Sequence, residues 1–209
     1  MSKLYLEILD PDRKEVFKKL ALFKKDGVLA GGTGLALQVG HRKSFDFDIF
    51  LPKPIPKRFF RKVVEVFGED LETRVSTGDI LLIKTPKDVE IHFVYVWYKR
   101  LFEPVETSSL SLSAVGDIAA DKAYTIGRRG QWRDYVDIFF LLKRKIFTLG
   151  EFIGMANEKY GPEFNPRLFL EQLTYYGDIH DFSATFLKES YTVDEVKKFL
   201  KNETERFKF

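Results

Sequence analysis

Two aspartates one residue apart, Asp46 and Asp48, stand in the run Phe45-Asp46-Phe47-Asp48-Ile49-Phe50. The alternation has the period of a half-buried strand. Both carboxylates therefore share one face, while Phe45, Phe47 and Ile49 take the other. Side by side the two charges repel, and burial among phenylalanines without a counter-ion would be costly for both. A divalent cation between them resolves the conflict. Hard oxygen donors of this kind suit Mg²⁺, with Mn²⁺ the alternative, and such a cation shares its shell with substrate phosphates.

A phosphate cradle stands a short distance upstream. The apolar run Val28 to Ala30 leads into Gly31-Gly32-Thr33 and then a helix-like segment, Leu35 to Val39. Backbone N–H groups at such a helix start can hold phosphate oxygens, and Thr33 can serve as cap and as a hydroxyl near them. The competing reading is an ordinary strand-to-helix turn. Between cradle and aspartates lies the basic turn His41-Arg42-Lys43-Ser44. Arg42 can clamp phosphate through two N–H groups, against a reading as a solvated turn; His41 stays open.

Further along, Lys122 falls on the apolar stripe of Val115, Ile118, Ala119 and Ile126 in an expected helix over 114–128. An inward lysine needs an anionic partner, and nucleotide phosphate is the natural one; snorkelling to the surface is the alternative. Asp117 and Asp121 fall on a different face and read as solvated or capping. In Arg133-Asp134-Tyr135-Val136-Asp137, Arg133 and Asp137 are spaced to pair on one helix face.

The elements that must position these groups change character along the chain. The spacing predicts a helix over 11–25 and another over 57–67, after the proline-marked loop 54–56. Strands are expected at 79–84 and 89–97. In the latter, Glu90 and His92 share a face, and an exposed sheet edge competes with any site role for Glu90. Beyond Ser113 the pattern turns helical: 114–128, 132–145, 149–160, 166–175 and 193–207. An α+β half followed by a helical half is the expected fold class. The division is placed at 1–106 and 107–209.

Gly31-Gly32-Thr33, His41-Arg42-x-Ser44-x-Asp46-x-Asp48 and Arg133-Asp134-x-x-Asp137 occur in that order. Together they resemble the AbiEii/AbiGii-type toxin branch of the polymerase-β-like nucleotidyltransferases, over roughly 27–142. The resemblance implies a small mixed β-sheet nucleotidyltransferase core followed by a helical C-terminal half. It also implies Mg²⁺-dependent transfer of an NMP from an NTP to an acceptor hydroxyl. It makes Asp46, Asp48 and Glu90 the metal carboxylates, with Glu90 a candidate general base as well. Gly31, Gly32, Thr33, Arg42, Ser44 and Lys122 become nucleotide contacts, and Asp134 an active-site acid. Candidate partners are a tRNA or other RNA acceptor and an antitoxin protein. Transfer to a protein or small molecule, and a non-catalytic NTP-binding module, are the rival readings.

Composition sets the outer bounds. The chain has 209 residues, 44% of them hydrophobic, with 21 Phe, which is ample for a core. It has no cysteine, which excludes disulfides and thiolate metal sites. No signal-peptide core and no membrane-spanning apolar run is visible, so a cytoplasmic location without membrane partners is expected. A net charge of +3 does not by itself point to nucleic acid. Local charge is more telling: Lys53, Lys57, Arg58, Arg61 and Lys62 surround Phe59 and Phe60 without an intervening acid. That run suits a nucleic-acid backbone, or else a surface helix whose Phe residues face the core.

Overall fold

The computed structural model describes residues 4–126 and 128–208. Met1, Ser2 and Lys3, which belong to the stretch read for a signal peptide, lie outside the described residues. So do Gly127, within the expected helix 114–128, and Phe209. The chain divides into two compact units. One runs to Lys99 and resumes over Glu103–Ala114, and the other holds Arg100–Phe102 and the chain from Val115 onward.

The first unit opens with α1 (Pro11–Lys19), which Asp10 caps by accepting a hydrogen bond from Arg13 N at 2.9 Å. The expected helix to 25 tightens after Lys19 into a 3-10 turn over Leu20–Phe23. Then follow β1 (Val28–Leu29), α2 (Gly31–Val39), β2 (Asp46–Leu51) and α3 (Lys57–Phe67). The strands β3 (Glu72–Ser76), β4 (Ile80–Lys84) and β5 (Glu90–Tyr95) complete the unit. Among the described residues they form one mixed five-stranded sheet in the order β1-β2-β5-β4-β3. β2 and β5 run parallel, and the other pairings are antiparallel.

Burial along β2 alternates as expected, with Phe47, Ile49 and Leu51 buried and both aspartates half-buried. Phe45 departs from the expectation. It precedes the strand and is 43% exposed, its ring beneath the Arg13 guanidinium at 5.2 Å. β3 was not anticipated at all. It is a sheet-edge strand exposed along its whole length, so no apolar face writes a period into it.

Helix α3 buries Phe59, Val63 and Phe67. Phe59 lies 5.0 Å from Phe93 and 5.7 Å from Phe23, centroid to centroid, and Phe23 stacks on Phe67 at 6.0 Å. Phe93 is the register partner of Ile49, so this aromatic cluster covers the sheet face turned away from the aspartates. Each phenylalanine fully buried there contributes about 1.5–3 kcal/mol.

The second unit is helical: α4 (Val115–Ile126), α5 (Trp132–Lys143), α6 (Leu149–Tyr160), α7 (Pro166–Gln172) and α8 (Val193–Arg206). Capping boxes start α6 at Thr148/Glu151 and α8 at Thr192/Glu195, and Asn165 caps α7. α4 and α6 are joined by a buried charge cluster. Lys159 Nζ lies 2.9 Å from Asp117 and 2.6 Å from Asp121, and the Tyr160 hydroxyl donates to Asp121 at 2.6 Å. This corrects the solvated reading of Asp117 and Asp121. Asp117 is fully buried and also accepts from Leu101 N and Phe102 N at 3.0 Å each. Burial raises the Asp121 pKa against the pull of Lys159. No described helix is long and apolar enough to cross a membrane.

Candidate active site

The site of the first unit is built by threading the β1–α2 turn against the start of β2. Leu29 pairs with Ile49, and Ala30 N donates to Asp48 O at 2.8 Å. That hydrogen bond sets the first turn of α2 beside the second aspartate. Thr33, fully buried, donates its hydroxyl to Asp46 O, which ties the same turn to the first aspartate. Both expected halves, glycine turn and carboxylate strand, are therefore brought together.

The two glycines are explained by what presses on them. Gly31 has φ +60°, and a Cβ there would overlap the Asp48 carboxylate. At Gly32 a Cβ would come within 2.5 Å of Arg42 Nη2 and 3.3 Å of Ser44 Oγ. Arg42 is thus packed against the glycine turn, 2% exposed, with Nη1 donating to Lys43 O at 3.0 Å. The N-cap residue, Ala30, makes no side-chain cap, and the positive end of the helix suits an anion. Ser44 is buried with Oγ 3.4 Å from Asp46 Oδ1. His41 is buried too.

The neighbouring strand adds groups that the sequence alone did not connect. In the parallel register Asp46 faces Glu90 and Asp48 faces His92. His92 Nδ1 lies 2.9 Å from Asp48 Oδ1, and Nε2 lies 3.7 Å from Glu90 Oε2. The hydrogen bond to Asp48 raises the His92 pKa above the ordinary imidazole value, against the opposing effect of burial. Glu90 is held by Arg74 at 2.5 Å. Neither His92 nor Arg74 was picked out for this role. Only the period-2 pairing of Glu90 with His92 hinted at it, because strand register is not written in either strand alone.

Among the described residues no three His, Asp or Glu side chains gather closely enough to enclose a metal ion. The donor set still fits Mg²⁺, which is commonly held by one or two carboxylates plus substrate phosphates rather than by an all-protein cage. Asp46 and Asp48 supply the hard oxygens beside a helix start whose N–H groups suit those phosphates.

Lys122 and Asp134 belong to the second unit, where they meet each other. Lys122 Nζ is 2.5 Å from Asp134 Oδ1 and 2.7 Å from Asp137 Oδ2, all three side chains being buried. Arg129 Nε reaches Asp134 Oδ2 at 3.1 Å. The anionic partners that an inward lysine requires are present within the unit itself.

Comparison with known proteins bears on this arrangement. Protein aq_aa25 of Aquifex aeolicus (strain VF5) is 25% identical over 205 residues, covering 95% of this chain and 97% of its own. A crystal structure from H. pylori superposes with TM-score 0.61 at 17% identity, covering 94% of this chain and 95% of its own. MenT4, a nucleotidyltransferase toxin of Mycobacterium tuberculosis H37Rv, superposes with TM-score 0.57 at 15% identity, covering 94% and 83%. These superpositions establish the shared fold. The family model described as "Nucleotidyl transferase AbiEii toxin, Type IV TA system" matches residues 17–205, reaching well past the motif-bearing stretch into the C-terminal helices. A match over most of both units makes this chain a nucleotidyltransferase, and it belongs to the AbiEii toxin family.

Proposed function

We propose that the chain transfers an NMP from an NTP to an acceptor hydroxyl at the face of β2 that carries Asp46 and Asp48. The observation that supports this best is the fit of Gly31 against the Asp48 carboxylate, which sets the first turn of α2 beside two carboxylates. In the reaction the acceptor oxygen bonds to the α-phosphorus and the bond to the β-phosphate oxygen breaks, so pyrophosphate leaves. Mg²⁺ held by Asp46 and Asp48 would neutralise phosphate charge and stabilise the attacking and leaving oxygens.

The chain's own groups do the positioning. N–H groups of the Gly31-Gly32-Thr33 turn receive phosphate oxygens, and Arg42, fixed against Gly32, adds a cation behind them. Ser44 orients Asp46, and His92 orients Asp48. Glu90, held by Arg74, is the carboxylate we assign to take the acceptor proton. Lys122 and Asp134, paired with each other, are assigned to nucleotide binding on the strength of the family motif alone.

A tRNA is the acceptor we test first, and family membership supports an antitoxin as protein partner. The test incubates the protein with Mg²⁺ and each α-labelled NTP in turn. Total tRNA, a protein extract and buffer alone serve as acceptors. Label entering tRNA supports the reading, label entering protein moves the acceptor, and the absence of label in any sample contradicts transfer.

A further inference from the structure

A second, strongly basic surface lies on the same unit, away from the carboxylate face. A groove of about 610 Å³ opens where β2 ends, walled by the loop Pro52 to Pro56 and by the first turns of α3. It begins at Leu51, three residues and roughly 10 Å of strand beyond Asp48. Its floor includes Leu51 and Phe59, which belong to the sheet face opposite the aspartates.

The charge arrangement there is unfavourable for an empty groove. Helix α3 starts at Lys57 without a side-chain cap and without an acid in its first turn. Lys57, Arg58 and Arg61 instead crowd its positive end, where cations are destabilising. Among the described residues, none of Lys53, Lys57, Arg58 and Arg61 pairs with a carboxylate; Asp26 is taken by Lys62 at 2.6 Å. Glu65, the other acid on the wall, sits about one turn beyond Arg61 on α3 and forms no ion pair with it. An external anion would relieve both the helix end and the mutual repulsion.

The rest of the wall restricts which anion fits. Pro52, Pro54 and Pro56 present fixed apolar surface, and Ile55 N donates to Gly78 O at 2.6 Å, anchoring the loop to the β3–β4 turn. A simple phosphate would leave that apolar wall unused. A chain of phosphates carrying flat apolar rings would use both. We propose that this groove binds a single-stranded nucleic-acid segment, with phosphates on Lys53, Arg58 and Arg61 and bases against the proline surface. The surface is distinct from the NTP site and does not depend on transfer chemistry.

The test measures anisotropy of short fluorescein-labelled oligouridine and oligodeoxythymidine with the full-length protein across a salt series. The triple variant Lys53→Ala/Arg58→Ala/Arg61→Ala is compared with Lys198→Ala/Arg206→Ala/Lys208→Ala, which removes equal charge from exposed positions at the C-terminal end. Melting curves check that both variants fold. At low salt the groove variant should bind at least about tenfold more weakly. Its log–log salt slope should be shallower by about 2, at about 0.7 per lost phosphate contact. Equal loss in the two variants, or none in the groove variant, overturns the proposal. Tighter binding of polyglutamate through the same three residues would overturn it in favour of an acidic protein partner. NTP affinity is read in parallel and should not change in the groove variant. Wild-type protein that binds the oligomers through the groove but binds no NTP would sink the transfer reading and leave this one standing.

Discussion

The Cα of Gly31 lies so close to the carboxylate of Asp48 that no side chain larger than hydrogen fits between them. Gly31 also has φ +60°, so two independent constraints select glycine there. Gly31→Ala should lower stability by about 1–3 kcal/mol and displace Asp48, reducing transfer as well. Gly154, in α6 with open space where its Cβ would be, is the control. Gly154→Ala should stabilise by about 0.5–1 kcal/mol. Urea unfolding of both variants checks the contrast.

His92 offers a spectroscopic readout of the site. Its pKa is raised by the hydrogen bond to Asp48, while burial works the other way. The NMR titration midpoint of His92 should lie above the ordinary histidine value, and in Asp48→Asn it should fall. Because the folded value is the raised one, the pair stabilises the fold at pH below the unfolded value. That contribution is lost as pH rises through the folded value. A midpoint unmoved by Asp48→Asn would refute the assignment.

Lys122 bridges two buried carboxylates, Asp134 and Asp137. Removing it takes the shared cation from two buried carboxylates and leaves Asp134 with Arg129 at the surface, so Lys122→Ala should cost about 3–5 kcal/mol. Thermal melts give the stability term, and NTP affinity measured well below the melting temperature gives any binding term. An unchanged melting temperature would contradict the buried bridge.

Phe93 is fully buried between Phe23 and Phe59, at 5.1 and 5.0 Å. Phe93→Ala should cost about 3–5 kcal/mol, because two other rings lose contacts and a cavity remains. Chemical denaturation reads it directly.

The parts of the fold that were legible are those where burial writes a period. The expected α3 and α6 match in both bounds, since each has one apolar face and a clear start. Strand β2 declared its faces through Phe47 and Ile49. Edge strand β3 carried no such pattern. Asp117 and Asp121 were misjudged because their partner, Lys159, lies on another helix far along the chain. The link from His92 to Asp48 depends on strand register, and so does the facing of Glu90 and Asp46. Short-range motifs therefore disclosed the glycine turn and the aspartates, while the groups that hold them emerged only from pairing between strands.

The most direct test of the account is NMP transfer by the wild-type protein and by Asp46→Asn, measured over a Mg²⁺ series with the acceptor that takes label. The variant should keep the wild-type melting curve and lose transfer by roughly 100-fold or more at every Mg²⁺ concentration. Transfer at the wild-type rate by a folded Asp46→Asn protein would contradict the assignment of the carboxylate face as the catalytic centre.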